Sequence, residues 1–193
     1  MIERTLFNAD HEAFRDAFRK FCEKEIAPHH EAWEEAGYVD REVWRKAGAN
    51  GDLNSWIRAH LSRSDRGDYV ALLAYIERDG EHVAALQKMR LAVRDARQLA
   101  TCAEFGPRFL HSTGQAYKGG PDNGVFLQIT ADETKDLKVP GQKASFGVIK
   151  AAQARGDFDV LTERGRRALR VHLKGDLDAG LKALDAAISA ALN

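Results

Sequence analysis

Apolar positions follow two rhythms along this chain. Before residue 52 the rhythm is helical; after it, short apolar runs alternate with helical stretches. Phe14, Phe18, Phe21, Cys22 and Ile26 recur at helical spacing and predict an amphipathic helix with one apolar stripe. Asn8 can cap it, Asp10 and Glu12 suit its positive first turn, and Pro28 marks its exit. Gly37 predicts a turn. Asp40 predicts the cap of a short helix through Val43, Trp44 and Ala47, ended by Gly48. His29 and His30 are adjacent and point apart on a helix, so they read as solvated loop histidines and not as a metal pair.

From Asp52 the pattern changes. Asp52 can cap a helix with Leu53, Trp56, Ile57 and His60 near one side, and residues 64–68 read as a polar loop. YVALLAYIE, from Tyr69, is a continuous apolar run bounded by turn residues, as in a strand buried on both faces. An amphipathic helix follows, with Val83, Leu86, Met89 and Val93 inside. QLATCAEFG predicts the next strand, FLHSTGQAY a helix or helical turn, and GVFLQITAD the clearest strand. QKASFGVIKAAQARGD reads as a helix stopped by Gly156, and FDVLTERGRR as a second. ALRVHL is a last strand, where His172 reads as a hydrogen-bonded strand histidine; DLDAGLKALDAAISAAL is a closing helix. Such alternation implies α/β architecture: a parallel sheet of about four strands flanked by helices, preceded by an N-terminal helical hairpin. The boundary falls at Gly51, giving a helical segment over 1–51 and an α/β lobe over 52–193.

The 193 residues carry no formal net charge, which gives no field toward nucleic acid or an anionic membrane, and neither is expected as a partner. Cys22 and Cys102 lie far apart in apolar segments and read as packed, reduced thiols. No apolar run approaches the roughly 20 residues that span a bilayer, and the first residues turn charged too soon for a signal peptide. A cytoplasmic protein is expected. There is no phosphate-loop pattern, dinucleotide fingerprint, nucleophile elbow or useful metal-ligand spacing, so neither cofactor nor metal is expected.

The candidate chemistry gathers between Phe105 and Pro121. His111, Ser112, Thr113, Gln115 and Lys118 place an imidazole, hydroxyls, an amide and an ammonium within eight residues, a set able to hydrogen-bond a sugar or its phosphate. Gly119, Gly120 and Pro121 close the stretch.

Two resemblances add to this. LFNADHEAFRDAFRKFCEKEIAPHHEAWEEAGYVDREVWRKAGANG resembles the amino-terminal helices of the acyl-CoA dehydrogenase family. In that family the flavin contacts and catalytic carboxylate come from later domains, so the resemblance implies a helical hairpin without that chemistry. Residues from about 53 onward resemble the isomerase part of bacterial bifunctional transaldolase/glucose-6-phosphate isomerase proteins. GDYVALLAYIER, GPRFLHSTGQAYKGGP, NGVFLQITAD, VPGQKASFGVIKAAQARGDFDVL and GRRALRVHL carry the likeness. It implies a sugar-isomerase-like lobe acting on a sugar phosphate. His111 would open the ring, with Lys150, or else Lys143, assisting. Ser112, Thr113, Gln115 and Lys118 would hold the imidazole or the substrate. That family's enediol base and phosphate cluster lie outside the matched stretch, so the resemblance implies a partial isomerase, inactive unless a partner completes it. A sheet lacking its outer strands leaves an exposed edge, which makes a homodimer an expectation. The alternatives are a non-catalytic binding or assembly module, with the Phe14, Phe18 and Phe21 stripe as docking surface, and an acyl-CoA dehydrogenase fragment.

Overall fold

The computed structural model describes residues 9–37, 39, 43 and 52–193. The chain divides into two compact units, Met1–Asp52 and Leu53–Asn193.

In the first unit, α1 (Ala9–Phe21) passes into a π-helical turn, Cys22–Ile26, and a 3-10 turn, Ala27–His29, before α2 (His30–Ala36). Pro28 therefore does not end the helical path. It sits in the first turn of the 3-10 segment, where its missing N–H costs no hydrogen bond. His29 and His30 are accordingly helical, though exposed. Gly37 ends α2 at φ +71°, a left-handed cap that a side chain would strain. The apolar stripe is only partly covered: Phe21 is buried, Cys22 and Ile26 are half-buried, and Phe18 is 44% exposed. The Asn8 cap and most of the predicted Asp40–Gly48 helix lie outside the described residues; Val43, within it, is helical and buried.

The second unit is a four-stranded, all-parallel sheet in the order β2-β1-β3-β4, formed by β1 (Tyr69–Tyr75), β2 (Ala100–Phe105), β3 (Gly124–Ala131) and β4 (Arg167–Leu173). The inner strands β1 and β3 are the two continuous apolar runs, and both are almost wholly buried. One face packs on α3 (Leu53–Leu61), α4 (Gly80–Arg97) and α7 (Leu177–Leu192) through Ile57, Leu72, Met89, Leu127 and Ile188. The other packs on a 3-10 turn, Arg108–His111, and on α5 (Thr113–Gly119) and α6 (Phe146–Glu163), through Leu73, Tyr75, Phe109, Phe126 and Leu161.

Three local expectations are corrected. Helix α6 runs unbroken through Gly156, because burial of Ala154, Asp157 and Leu161 outweighs the roughly 1 kcal/mol that one helical glycine costs. In α3 the buried residues are Ile57, His60 and Leu61, while Trp56 is 40% exposed. In α4 the buried position expected for Val83 belongs to His82. Its Nδ1 lies 2.9 Å from the Glu77 carbonyl and 3.0 Å from Asp79, and its Nε2 lies 3.2 Å from Asp178.

Candidate functional site

Strand order sets where a site can form. The chain leaves β1 toward β2, then returns to place β3 on its other side, so the strand order reverses between β1 and β3. That crevice is filled. Tyr75, the last residue of β1, packs edge-on against Phe109 and donates its hydroxyl to Asp157 Oδ2 at 3.1 Å. Lys118 Nζ donates to Asp157 Oδ1 at 2.7 Å. Burial, reinforced by the Asp157 carboxylate, drives the Tyr75 phenol far above its usual range, so it remains a donor. Gly106 lies against the Tyr75 ring, and a Cβ there would come within 2.5 Å of it, so the loop after β2 needs a glycine.

A second polar cluster centres on Glu104 of β2. Its Oε1 accepts from the Tyr117 hydroxyl and its Oε2 from Thr113 Oγ1 at 2.6 Å. Cys102 Sγ is 3.3 Å from the same phenol oxygen. Burial raises the Cys102 thiol above its ordinary value, which keeps it protonated and unreactive.

The residues singled out in the sequence are placed as follows. His111 ends the 3-10 turn and is exposed. Ser112 donates to the Phe109 carbonyl at 3.2 Å and Gln115 to the Leu110 carbonyl at 3.0 Å, so with Thr113 on Glu104 these side chains brace the turn and none bonds to His111. Lys118 is turned inward to Asp157. Lys150, in the second turn of α6, is ion-paired with Glu133, and Lys143 is exposed in the loop before that helix. His111 and Lys118 share one segment; Lys143 and Lys150 belong to another.

Two further constellations lie outside the Phe105–Pro121 stretch; the first matches the hydrogen-bonded strand histidine expected at His172, and the second was not foreseen. At the ends of β3 and β4, His172 lies between Thr130 (Nδ1 to Oγ1, 2.9 Å) and Asp132 (Nε2 to Oδ1, 3.0 Å). His172, with the Gly175 N–H, holds the Asp132 carboxyl below its usual range. The other is a cleft of about 290 Å³ beside β2, lined by Arg78, Val83 and Gln87 on one side and by Glu104, Phe105 and Arg108 on the other. The pairing of Ala74 with Phe105 sets the loops after β1 and β2 side by side, so Arg78 and Arg108 line one cleft although they are far apart in sequence. No local pattern carries that signal.

The profile of the acyl-CoA dehydrogenase N-terminal domain family matches residues 8–92, less than half of the chain. Long-chain specific acyl-CoA dehydrogenase of mouse mitochondria is 52% identical over 50 residues, and the pig enzyme is 50% identical over the same length. In each case the alignment covers 26% of this chain and 12% of the relative, so the chain matches only a small part of those enzymes. A crystal structure of a hypothetical protein from Thermus thermophilus superposes with a TM-score of 0.56 at 14% identity, over 95% of this chain and 44% of that one. That likeness is one of fold.

These findings overturn the sugar-phosphate isomerase reading, together with the glycolytic and transaldolase roles attached to it. The family that matches is acyl-CoA dehydrogenase, by its amino-terminal domain. The strings that suggested an isomerase include YVALLAY and GVFLQITA, which form the inner strands of the sheet. Strings of that kind record what a buried parallel strand requires, and they carry no chemistry.

Proposed function

We propose that the chain is a binding module built on an acyl-CoA dehydrogenase amino-terminal segment, and that its helical unit engages long-chain acyl-CoA thioesters. The observation that carries this is the 52% identity over 50 residues to an enzyme named for long-chain acyl-CoA. The family profile, which begins at residue 8 and takes in α1 and α2, supports it. So does the surface of α1. Phe18 is exposed, its ring centroid 6.0 Å from that of Phe21, beside exposed Lys20 and two arginines that are ion-paired within the helix, Arg15 with Glu12 and Arg19 with Asp16. An exposed ring beside cationic side chains suits a ligand that joins an alkyl chain to phosphates. The proposal is one of binding and not of a complete dehydrogenase, because the match spans 12% of the relative's length.

Titration of the full-length protein with palmitoyl-CoA, followed by tryptophan fluorescence, should show saturable binding. Phe18→Glu should weaken it about tenfold. If palmitoyl-CoA binds no tighter than CoA alone, the acyl chain has no part and the proposal fails.

A second reading rests on the outer strands. β2 and β4 end the sheet, and each offers one side of its backbone for pairing. Association of two copies through such an edge should appear in sedimentation equilibrium as a mass near twice 21.4 kDa. A single-chain mass at the highest concentration tested would dismiss it.

A further inference from the structure

We propose that the cleft beside β2 binds an adenosine phosphate, with Arg78 and Arg108 taking the phosphate and Phe105 facing the base. The two guanidinium groups enter from separate loops, Arg78 from the β1–α4 connection and Arg108 from the 3-10 turn. Both residues are exposed, and among the described residues neither forms an ion pair with a carboxylate. Two planar forks facing one cleft match the oxygens of a phosphate, which they can hold bidentately. The carboxylate in the lining, Glu104, has both oxygens committed to Tyr117 and Thr113. Its charge leaves the lining one positive charge in excess, which favours a ligand with one or two phosphates over a polyanion.

The rest of the lining selects the uncharged part of the ligand. Arg78 stands over the Phe105 ring, 5.8 Å from its centroid, so its guanidinium must swing toward the phosphate for a base to cover that face. Val83 and Ala103 extend the apolar wall. Gln87 supplies polarity at its edge. Its carbonyl oxygen accepts from Arg90 Nε at 2.8 Å, which leaves its NH₂ to donate to a ring nitrogen. A volume of about 290 Å³ is at the small end for a ligand site, enough for a nucleoside and one phosphate and too small for a dinucleotide.

An adenosine phosphate reaches this cleft free, as a nucleotide in solution, so the inference does not rest on the acyl-CoA binding proposed above for the helical unit. The test is calorimetric titration of the full-length protein, and of its Arg78→Ala and Arg108→Ala variants, with AMP, adenosine 3′,5′-bisphosphate, inorganic phosphate and palmitoyl-CoA. Both arginines are exposed, so unchanged circular dichroism is expected to show that the variants fold. AMP or the bisphosphate should bind the parent protein, and each arginine variant should weaken that binding about tenfold. Inorganic phosphate should bind far more weakly, since it makes no contact with Phe105 or Gln87. Bisphosphate binding that survives when palmitoyl-CoA fails to bind supports the cleft while removing the acyl-CoA reading. Palmitoyl-CoA binding with no response to either nucleotide, or nucleotide binding indifferent to both arginines, overturns the cleft and leaves the acyl-CoA reading standing. Phosphate binding as tight as AMP overturns the adenosine part.

Discussion

Asp157 on α6 is 5% exposed and satisfies two partners from different elements, the Tyr75 hydroxyl at the end of β1 and the Lys118 ammonium at the end of α5. Asp157→Ala strands a half-buried cation and a buried phenol together. The expected loss is about 3 kcal/mol, or a fall in Tm of about 6–12 °C by scanning calorimetry. A change below about 1 °C would mean that water replaces the carboxylate without penalty. His60 sets a different sensitivity. Burial, with Arg63 nearby, lowers its pKa from 6.5 to about 4. The unfolded chain therefore takes up this proton more readily than the folded one, and stability falls as pH drops from about 6.5 toward about 4, by on the order of 3 kcal/mol in full. The lowered carboxyls of Asp68, Asp132 and Asp136 act in a lower window, below their ordinary range near pH ~4. Urea unfolding at about pH 7 and about pH 4.5 separates the two, because His60→Leu should flatten the upper slope. An unaltered slope would assign it elsewhere.

At the scale of elements, the helix α6 offers the cleanest check. Gly156 has no positive φ, and a Cβ added there meets nothing within 4 Å. Gly156→Ala should therefore stabilise the protein by about 0.5–1 kcal/mol, read from urea denaturation midpoints. A destabilisation would mean that the helix breaks there after all. The four strands were legible from the sequence because each needed only a short apolar run between turn residues, and the buried inner pair carried the strongest signal. The break assigned at Gly156 was misread because a local propensity was weighed without the tertiary burial that overrides it. His82 was missed for a related reason. Its partners Glu77 and Asp178 come from outside its own helix, so nothing in the helical period distinguishes it from Val83. Gln128 is similar: it is fully buried in β3, yet its amide donates to the Ala154 carbonyl and accepts from Arg170. The Phe105–Pro121 stretch was visible as a cluster of polar groups, but their bonding within the turn and to Glu104 was not. The cleft was illegible, since its arginines come to line one cleft only through the register of β1 with β2.

At the scale of the whole molecule, the two units are compact separately. The core of the second is drawn from α3, the sheet and the helices on both faces. A chain beginning at Leu53 should therefore fold alone and unfold cooperatively on heating. A broad transition without cooperative loss of helix would show that the residues before Leu53 are part of that core. The comparisons divide along a different line. The dehydrogenase profile runs to residue 92, past β1 and into α4, whereas the curated relatives align over 50 residues. The proposed role in acyl-CoA binding belongs to the helical unit, and the nucleotide cleft to the α/β unit. The measurement that decides the first is calorimetric titration of palmitoyl-CoA into full-length protein at several temperatures. Binding to one site with a negative heat-capacity change is predicted, as apolar burial of the acyl chain requires. Folded protein that gives no binding heat at any temperature would contradict it.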